Sequence, residues 1–471
     1  MYDARALKAE EFICDGEIRE SLKFARDNAE NRALIESLIA RAGEMKGLSH
    51  REAAVLLECR IEELNREIFE LARKIKARLY GNRIVMFAPL YLSNYCVNSC
   101  LYCPYHISNK CMPRKKLTQE EIRAEVVALQ NMGHKRLALE TGEDPLRNPI
   151  EYILECIETI YSIKHKNGAI RRVNVNIAAT SVKDYAKLKA AGIGTYILFQ
   201  ETYNKSAYER LHPHGPKSDY AYHTEAMDRA MLAGIDDVGC GVLFGLDDYK
   251  YDFVGLLMHA EHLEAVYNCG PHTISVPRIR PADDIDTEMF RDAVSDEAFA
   301  KIVAVLRVAV PYTGMIVSTR ESSKMRERVL ELGVTQLSGG SRTSVGGYAE
   351  ATGEEDSEQF EVNDTRTLDE VVNWLLELGY IPSFCTACYR AGRTGDRFME
   401  LVKAGEIANC CLPNALITLK EYLMDYASQD TCAKGETLIK DELSKIPNPV
   451  VRAAAEEYLD KIQGGERDFR F

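Results

Sequence analysis

Three closely spaced cysteines suggest metal chemistry. Cys96, Cys100 and Cys103 stand at i, i+4 and i+7 in the run CVNSCLYC. Three thiolates supply three of the four iron ligands of a [4Fe–4S] cubane, and the fourth iron stays open to a small molecule. An open coordination position is typical of a catalytic metal site, so the run predicts a catalytic cluster. The alternative is a closed zinc site completed by Cys111 and His106.

A second group of cysteines lies far along the chain. Cys385 and Cys388 stand in FCTACYRAG, and Cys410 and Cys411 stand in IANCCLPNA. The spacing is C-x₂-C-x₂₂-C if the third ligand is Cys411 and C-x₂-C-x₂₁-C if it is Cys410, and spacing alone does not choose. A zinc knuckle is the alternative, although a fourth ligand is not obvious. Two incomplete triplets indicate two iron–sulfur clusters, each with a coordination site that cysteine does not fill.

Composition narrows the class of protein. The 471 residues carry a net charge of −13, and no Lys/Arg-rich run stands out, which argues against nucleic acid or an anionic membrane as a partner. The stretch Arg114, Lys115, Lys116 is interpreted as solvated loop charge. We find no apolar run of about 18 residues, and the polar start MYDARALKAEEF does not resemble a signal peptide. A cytoplasmic protein is expected, in which the fourteen cysteines are free thiols or metal ligands.

The pattern of apolar residues predicts the elements that position these cysteines. Residues 1–82 read as helices, with Ser49 as an N-cap and Glu52 in the first turn that follows. Short β-branched runs then alternate with amphipathic helices, which predicts a parallel (β/α)₈ barrel of the α/β class. The first triplet directly follows the first strand, where such barrels carry their active sites. The predicted strands are 83–92, 135–142, 171–180, 194–203, 236–245, 272–281, 314–320 and 334–340.

The motif C-x₃-C-x₂-C after a first strand resembles the signature of the radical S-adenosylmethionine (SAM) superfamily. The resemblance implies that SAM binds the open iron and is cleaved on one-electron reduction to a radical that abstracts hydrogen. The segment ETGED (140–144) resembles the superfamily's GGE motif, with Thr141 in place of the first glycine. Tyr102 resembles the aromatic residue that packs near the adenine. The candidate SAM-binding residues are therefore Tyr102, Thr141, Gly142, Glu143, Asn174, Asn176, Gln200 and Glu201.

The spacing of the second triplet and long segments of the chain resemble the HydG family of tyrosine lyases, which mature [FeFe]-hydrogenase. Segments such as RRVNVNIAAT, GPHTISVPRIRPA and FCTACYRAGRTGDRFM carry the resemblance, and its x₂₂ spacer selects Cys411. It implies an N-terminal helical segment (1–82), a radical SAM barrel (83–350) and a mostly helical C-terminal domain (351–471) that holds the auxiliary [4Fe–4S] cluster.

The same resemblance implies a reaction. L-tyrosine is cleaved to p-cresol and dehydroglycine, which is converted to CO and cyanide at the auxiliary cluster to build an Fe(CO)(CN) synthon. This cluster is expected to carry an additional mononuclear iron, bridged by a free cysteine molecule and bound by His272. Expected partners are an electron donor such as ferredoxin or flavodoxin and other hydrogenase maturation proteins.

The carboxylate of an amino-acid substrate requires a cation, and arginine binds it bidentately. Arg320, with Ser318 nearby, is one candidate, and Arg342 in GGSRTSVGGY is the other. Arg342 departs from the family pattern, which has a small residue there. Arg278 and Arg280 either line the cavity or form ion pairs beneath it.

Three other functions compete with this one. A tyrosine lyase of the thiazole-synthesis type is expected to lack the second triplet, and a related lyase acts on tryptophan. A zinc-stabilised interaction protein belongs to a different class.

Overall fold

The computed structural model describes residues 1–282, 284–285, 290, 294–349, 358–403 and 408–471. The chain begins with a layer of helices, as predicted, because apolar residues recur every three or four positions. Ser49 precedes the fourth of them, and its backbone N–H donates to the Glu52 carboxylate at 3.0 Å, which completes the expected cap. The helices are α1 (Ala9–Phe12), α2 (Asp15–Asp27), α3 (Arg32–Ala42), α4 (His50–Glu58) and α5 (Glu62–Tyr80).

Parallel strands form the centre of the molecule. They are β1 (Arg83–Ser93), β2 (Arg136–Thr141), β5 (Arg172–Asn176), β6 (Tyr196–Glu201), β7 (Val238–Val242), β8 (Thr273–Ser275), β9 (Gly314–Val317) and β10 (Gln336–Ser338), with a small antiparallel pair, β3 (Lys164–His165) and β4 (Gly168–Ala169), between β2 and β5. The eight parallel strands pair in chain order, and Val85 of β1 pairs with Gln336 of β10. This closure confirms the predicted barrel.

Helices follow each barrel strand and cover the outside of the barrel. They are α6 (Gln119–Met132), α7 (Ile150–Ser162), α8 (Val182–Ala190), α9 (Lys205–Leu211), a 3₁₀ turn (Pro216–Ser218), α10 (Tyr220–Thr224), α11 (Ala226–Leu232), α12 (Tyr249–Tyr267), α13 (Asp296–Ala309), α14 (Ser323–Leu332) and α15 (Leu368–Glu377). The N-terminal layer packs on this ring, chiefly through α5 against α13 and α4 against α12.

All eight predicted strands are present, but several end earlier than the sequence suggested. Strand β8 has three residues, whereas the apolar pattern extended from 272 to 281. Pro277 cannot donate a backbone hydrogen bond, so the ladder stops before it. The residues beyond the strand ends form the loops around the barrel mouth.

The tail adds a strand that the sequence did not predict, β11 (Ile381–Ser383), which pairs with the first residues of β1. The remaining elements are helical: α16 (Ala387–Arg390), α17 (Gly395–Lys403), α18 (Ala408–Asp425), α19 (Gln429–Leu443) and α20 (Pro449–Gln463). The expected boundary between residues 350 and 351 lies outside the described residues, and the division into three segments stays a prediction. None of the helices described here is long and apolar enough to cross a membrane.

Candidate functional site

The first cavity lies at the C-terminal ends of the barrel strands and measures about 160 Å³. Cys96, Cys100 and Cys103 line it from the loop after β1. Predicted residues from other elements join them there, so the barrel brings together groups that are far apart in sequence. These residues are Tyr102, Thr141, Gly142, Glu143, Asn176, Glu201 and Arg320.

Hydrogen bonds from Arg114, rather than a helix, hold the loop that carries the cysteines. The Arg114 guanidinium donates hydrogen bonds to the carbonyl oxygens of Asn94, Tyr105 and His106 at 2.7–2.8 Å. The interpretation of Arg114 as solvated loop charge is therefore wrong. Its five fixed donors suit it to hold an irregular loop whose carbonyl groups lack strand or helix partners.

The segment after β2 approaches the cysteine loop very closely. A Cβ atom at Gly142 would lie 2.4 Å from the Tyr95 carbonyl oxygen and 3.1 Å from the Cβ of Cys96, so only glycine fits. The Asn98 side chain donates to the Glu143 carboxylate at 2.6 Å. The substitution of Thr141 for a glycine is tolerated because its hydroxyl faces the carbonyls of Ser93 and Gly142 at 3.5 and 3.3 Å.

The chemistry of the three thiols fits an iron–sulfur cluster. Burial raises the pKa of Cys96, Cys100 and Cys103, that of Cys103 to about 11. A thiol in such surroundings becomes a thiolate when a metal ion supplies positive charge beside it. In the described ranges no three His, Cys, Asp or Glu side chains are gathered tightly enough to hold one metal ion. Each thiolate of a cubane binds a different iron, so three thiols that line one cavity suit such a cluster.

Glu201, the last residue of β6, faces the same cavity with a strained backbone conformation. Its φ of 67° lies in the left-handed region, which a non-glycine residue adopts at a cost of about 1–3 kcal/mol. Lys217 from the 3₁₀ turn donates to the Glu201 carboxylate at 2.7 Å, and this pairing helps to raise the pKa of the largely desolvated Lys217. Sequence reasoning missed Lys217, because no motif marks a lysine in a short turn.

Gln200, Asn174 and Tyr102, which were also predicted to bind SAM, make hydrogen bonds within the protein. Gln200 donates to the Thr224 hydroxyl at 2.9 Å, and the Asn174 amide oxygen accepts from the Thr195 backbone N–H at 3.1 Å. Neither lines the cavity. The Tyr102 ring does line it, with its hydroxyl 2.8 Å from Nε2 of His212.

The barrel interior contains a connected cavity of about 100 Å³. It shares Glu140, Asn176, Phe199, Arg320 and Gln359 with the first cavity. Ser318 also lines it. Arg342, the other predicted cation, is exposed and lines neither cavity.

Arg320 and Glu140 both line this space and the first cavity, and no ion pair joins them. Burial raises the pKa of Glu140 to about 8, against the opposing effects of Arg320 and Asn176. The Arg320 guanidinium lies 3.5 Å from the centre of the Phe360 ring and has no hydrogen bond or ion pair to another described residue. Sequence reasoning placed Glu140 in a motif but did not assign it a role.

Arg278 and Arg280, the other two candidate arginines, form ion pairs within the protein. Arg280 contacts the Glu321 carboxylate at 2.7 Å, and Arg278 forms a short ion pair with the same carboxylate. Of the two alternatives drawn from the sequence, the structure therefore shows the ion pairs. Arg320 is left as the candidate arginine that lines the barrel interior.

The second cavity, of about 80 Å³, lies at the opposite, N-terminal ends of the strands. Cys385, Cys388 and Cys411 line it together with His272. Cys385 follows β11, Cys388 lies in α16, Cys411 lies in α18 and His272 directly precedes β8, so only the folded chain brings them together. Arg136 from β2 also lines it, and its guanidinium donates to the Cys385 carbonyl at 2.9 Å.

The structure places Cys411 rather than Cys410 at this cavity. A hydrogen bond from Cys388, with Arg83 and Arg393 nearby, lowers the pKa of Cys411. Cys410 instead contacts Arg393 at 3.8 Å.

His272 is buried between two polar neighbours. Its Nε2 atom lies 3.1 Å from the Tyr389 hydroxyl, and its Nδ1 atom lies 3.4 Å from the Asp237 carboxylate. Burial lowers the pKa of His272, which favours the neutral ring. A neutral imidazole is the form that binds metal ions.

Neither of the two residues expected to complete a zinc site near the first triplet lines the first cavity. Cys111 is exposed, and the two ring nitrogens of His106 lie near Ser108 and Asp284 at 2.7 and 3.4 Å.

Comparisons with known proteins identify the family of this chain. The model of the Radical SAM superfamily matches residues 90–260, and that of the Biotin and Thiamin Synthesis associated domain matches residues 275–381. A 2-iminoacetate synthase of Salmonella typhimurium is 30% identical over 346 residues, which cover 73% of this chain and 89% of that protein.

Two solved structures extend the similarity to nearly the whole chain. A crystal structure of HydG, described as a maturase of the [FeFe]-hydrogenase, is 56% identical with a TM-score of 0.94 and covers 98% of this chain and 100% of that one. The structure of the maturase HydG from Carboxydothermus hydrogenoformans is 39% identical with a TM-score of 0.82 and covers 96% and 99%.

Proposed function

Because this chain belongs to the HydG family of radical SAM maturases, we propose that it cleaves L-tyrosine to p-cresol and dehydroglycine. In a second step, dehydroglycine is converted to CO and cyanide at an auxiliary cluster. The product is an Fe(CO)(CN) synthon for the H-cluster of [FeFe]-hydrogenase.

One observation carries the choice of an amino acid as substrate: Arg320 and Glu140 both line the first cavity and the barrel interior, and no ion pair joins them. A zwitterion is the natural complement of this arrangement. Its carboxylate would bind the Arg320 guanidinium bidentately, and its ammonium group would bind Glu140. Phe87, Phe199 and Phe360 line the adjoining space and suit an aromatic side chain.

The residues of the first cavity fit a SAM-binding cubane. Cys96, Cys100 and Cys103 would hold the cluster, and Gly142 allows the backbone after β2 to approach it. When bound, the cluster and SAM supply the radical that begins hydrogen abstraction. The chain's own residues position the substrate and exclude water. Glu143 and Glu201 are carboxylates suited to the amino and ribose groups of SAM.

At the second cavity, Cys385, Cys388 and Cys411 would hold the auxiliary cluster and His272 the additional iron. Arg136 and Arg83 add positive charge beside the three thiolates. That charge favours the anionic cluster and small anions derived from the substrate. A free cysteine molecule as bridging ligand remains part of the proposal.

The proposal extends to partners and location. An electron donor such as ferredoxin or flavodoxin would reduce the first cluster, and other maturation proteins would receive the synthon. We place these reactions in the cytoplasm.

A second candidate function is supported by the similarity to 2-iminoacetate synthase. Such an enzyme would stop at dehydroglycine and would not use the second cavity. The gathering of Cys385, Cys388, Cys411 and His272 at one cavity favours the longer reaction.

The test is anaerobic reconstitution with iron and sulfide, followed by incubation with SAM, dithionite and ¹³C-labelled tyrosine or tryptophan. We expect p-cresol together with labelled CO and cyanide from tyrosine. Absence of p-cresol refutes tyrosine cleavage, and p-cresol without CO or cyanide supports the shorter reaction. A product from tryptophan alone indicates the tryptophan lyase.

Metal analysis tests the alternative of another class. Two cubanes require about eight irons per chain with matching sulfide. Stoichiometric zinc without iron would identify a zinc-stabilised interaction protein.

A further inference from the structure

Five buried polar atoms that have no hydrogen-bond partner among the described residues lie near one another behind the second cavity. Each of the residues concerned exposes 8% of its surface or less. Buried polar groups are normally satisfied, so a cluster of exceptions indicates a site prepared for something else. The atoms are Nε of Arg136, Nε of Arg172, Oδ2 of Asp237, Nδ1 of His272 and Oγ1 of Thr273.

His272 stands at the centre of this group. Nδ1 faces the Asp237 carboxylate at 3.4 Å, a distance at which a small shift completes a hydrogen bond. A proton on Nδ1 is favoured by this negative charge, and it leaves the lone pair on Nε2. Histidines that bind metals are generally oriented in this way, with a carboxylate or carbonyl on the nitrogen away from the metal.

The Nε2 lone pair is taken by Tyr389, whose hydroxyl lies 3.1 Å away. The same hydroxyl lies 3.1 Å from Oγ1 of Thr195, so it has another partner when it leaves His272. The Arg172 guanidinium stacks on the Tyr389 ring at 3.2 Å from its centre. Tyr389 directly follows Cys388, which ties this phenol to the proposed cluster ligands.

Asp237 is itself fixed by the tail. Its Oδ1 accepts the backbone N–H of Gly395 at 3.0 Å, and the neighbouring Asp236 accepts the Thr394 hydroxyl at 2.7 Å. The start of α17 therefore sets the position of the carboxylate that faces His272. Docking of the tail and orientation of the histidine are coupled through one side chain.

We propose that Asp237 and Tyr389 are positioning residues of opposite effect on His272. Asp237 fixes the ring with its Nε2 lone pair toward the second cavity and strengthens that nitrogen as a ligand. Tyr389 occupies the lone pair and is the group that iron must displace. The inference rests on the proposed function in taking iron as the ligand of His272.

The experiment measures Fe²⁺ binding rather than turnover. Reconstituted full-length protein is loaded with ⁵⁷Fe²⁺ and equilibrated anaerobically with graded chelator, and iron beyond the two cubanes is followed by Mössbauer spectroscopy. Loss of a carboxylate behind a metal-bound histidine costs about 10- to 100-fold in affinity, so Asp237→Asn is expected to weaken this iron by that factor. Tyr389→Phe removes one competing hydrogen bond and is expected to tighten it about fivefold.

Matched variants separate these effects from general damage. Asp396→Asn changes an exposed aspartate beside Gly395, and Tyr380→Phe removes a hydroxyl with no hydrogen-bond partner among the described residues; both are expected to bind iron as the unchanged protein does. His272→Asn is expected to lose the additional iron. Melting temperature and the iron content of the two cubanes report folding for each variant.

Opposite shifts for Asp237→Asn and Tyr389→Phe support the proposal. Equal weakening in both would show that the two residues only maintain the fold, and unchanged affinity in both would overturn the proposal. The proposed function is tested separately by p-cresol formation in the unchanged protein. If no p-cresol forms but the two variants still shift in opposite directions, the function fails and the positioning inference survives.

Discussion

The two cavities are lined by the same kind of residue, three cysteines, but they are assembled differently. At the first, all three cysteines come from one run of eight residues after β1. At the second, they come from two separate segments of the tail, and the barrel adds His272 and Arg136. The first lies on the face where barrels of this kind carry their active sites, and the second lies on the face that ordinarily serves stability.

The difference has a functional consequence. A site made from one loop after a strand requires only the barrel to be in place. A site made from the tail and the bottom of the barrel also requires the tail to dock. We therefore expect the two halves of the reaction to be separable by mutation, and the following predictions test that separation.

The largest effect is expected from Cys96→Ala. Loss of one cluster ligand at the first cavity removes the radical source, so both SAM cleavage and p-cresol formation should fall below detection. Formation of 5′-deoxyadenosine measures the first, and chromatography of p-cresol the second. Cys111→Ala is the control, because this cysteine is exposed and does not line the cavity. Normal SAM cleavage in Cys96→Ala would contradict the assignment of the first triplet.

Cys385→Ala should separate tyrosine cleavage from CO formation. Tyrosine cleavage is expected to continue, because the first cavity is intact, whereas CO should be lost. Carbon monoxide trapped by deoxyhaemoglobin and p-cresol are measured in the same sample. Cys410→Ala serves as the matched change one residue from Cys411. Equal loss of both products in Cys385→Ala would show that the tail is needed for folding, and the two cavities would then not be separable.

Arg320→Gln should weaken substrate binding at the first cavity alone. A charge-assisted, bidentate contact contributes about 1.5–3 kcal/mol, so kcat/KM for tyrosine is expected to fall about 10- to 100-fold. Arg342→Gln is the control, since Arg342 is exposed and lines neither the first cavity nor the barrel interior. If Arg342→Gln had the larger effect, the cation that binds the carboxylate would have been misassigned.

The smallest effect is expected in the pH profile of Glu140→Gln. Burial raises the pKa of Glu140 from 4.5 to about 8, so the carboxyl is neutral below pH 8 and charged above it. If the charged form binds the substrate ammonium, kcat/KM should rise with pH up to about 8, and the variant should lack this limb. The measurement is p-cresol formation between about pH 6.5 and 8.5.

The raised pKa of Glu140 also makes the stability of the fold depend on pH. Because the pKa is higher in the folded state, the folded protein is favoured at low pH, and this contribution is lost as pH rises from 4.5 to about 8. Glu140→Gln should therefore show a smaller fall in melting temperature across that interval. An unchanged profile in both measurements would show that Glu140 does not titrate there.

Much of the fold follows from local patterns. The eight barrel strands and the N-terminal helices were predictable, because short β-branched runs and the three- to four-residue spacing of apolar residues reflect the geometry of single elements. Strand β11 was not, because three residues with a proline carry little periodic signal and pair only through contact with β1. The early end of β8 depended on where Pro277 interrupts the ladder.

Some residues of the candidate site could likewise be predicted from the sequence, and others could not. The spacing of Cys96, Cys100 and Cys103 was visible because all three lie in one loop. No spacing in the sequence marks Lys217 or the position of Glu140 in the cavity, because both depend on neighbours that are distant in sequence. Arg342 was expected near the substrate from its place after the last barrel strand, but its side chain is exposed.

The sequence by itself determined the kind of chemistry, since a triplet of thiols and its spacing are local properties of the chain. It also determined the barrel, through the repeated pattern of strand and helix. Tertiary structure alone decided which arginine lines the barrel interior, that Cys411 rather than Cys410 faces the second cavity, and that His272 lies between Asp237 and Tyr389. The physical reason is that a side chain's direction and burial depend on closure of the barrel and docking of the tail, which no short segment encodes.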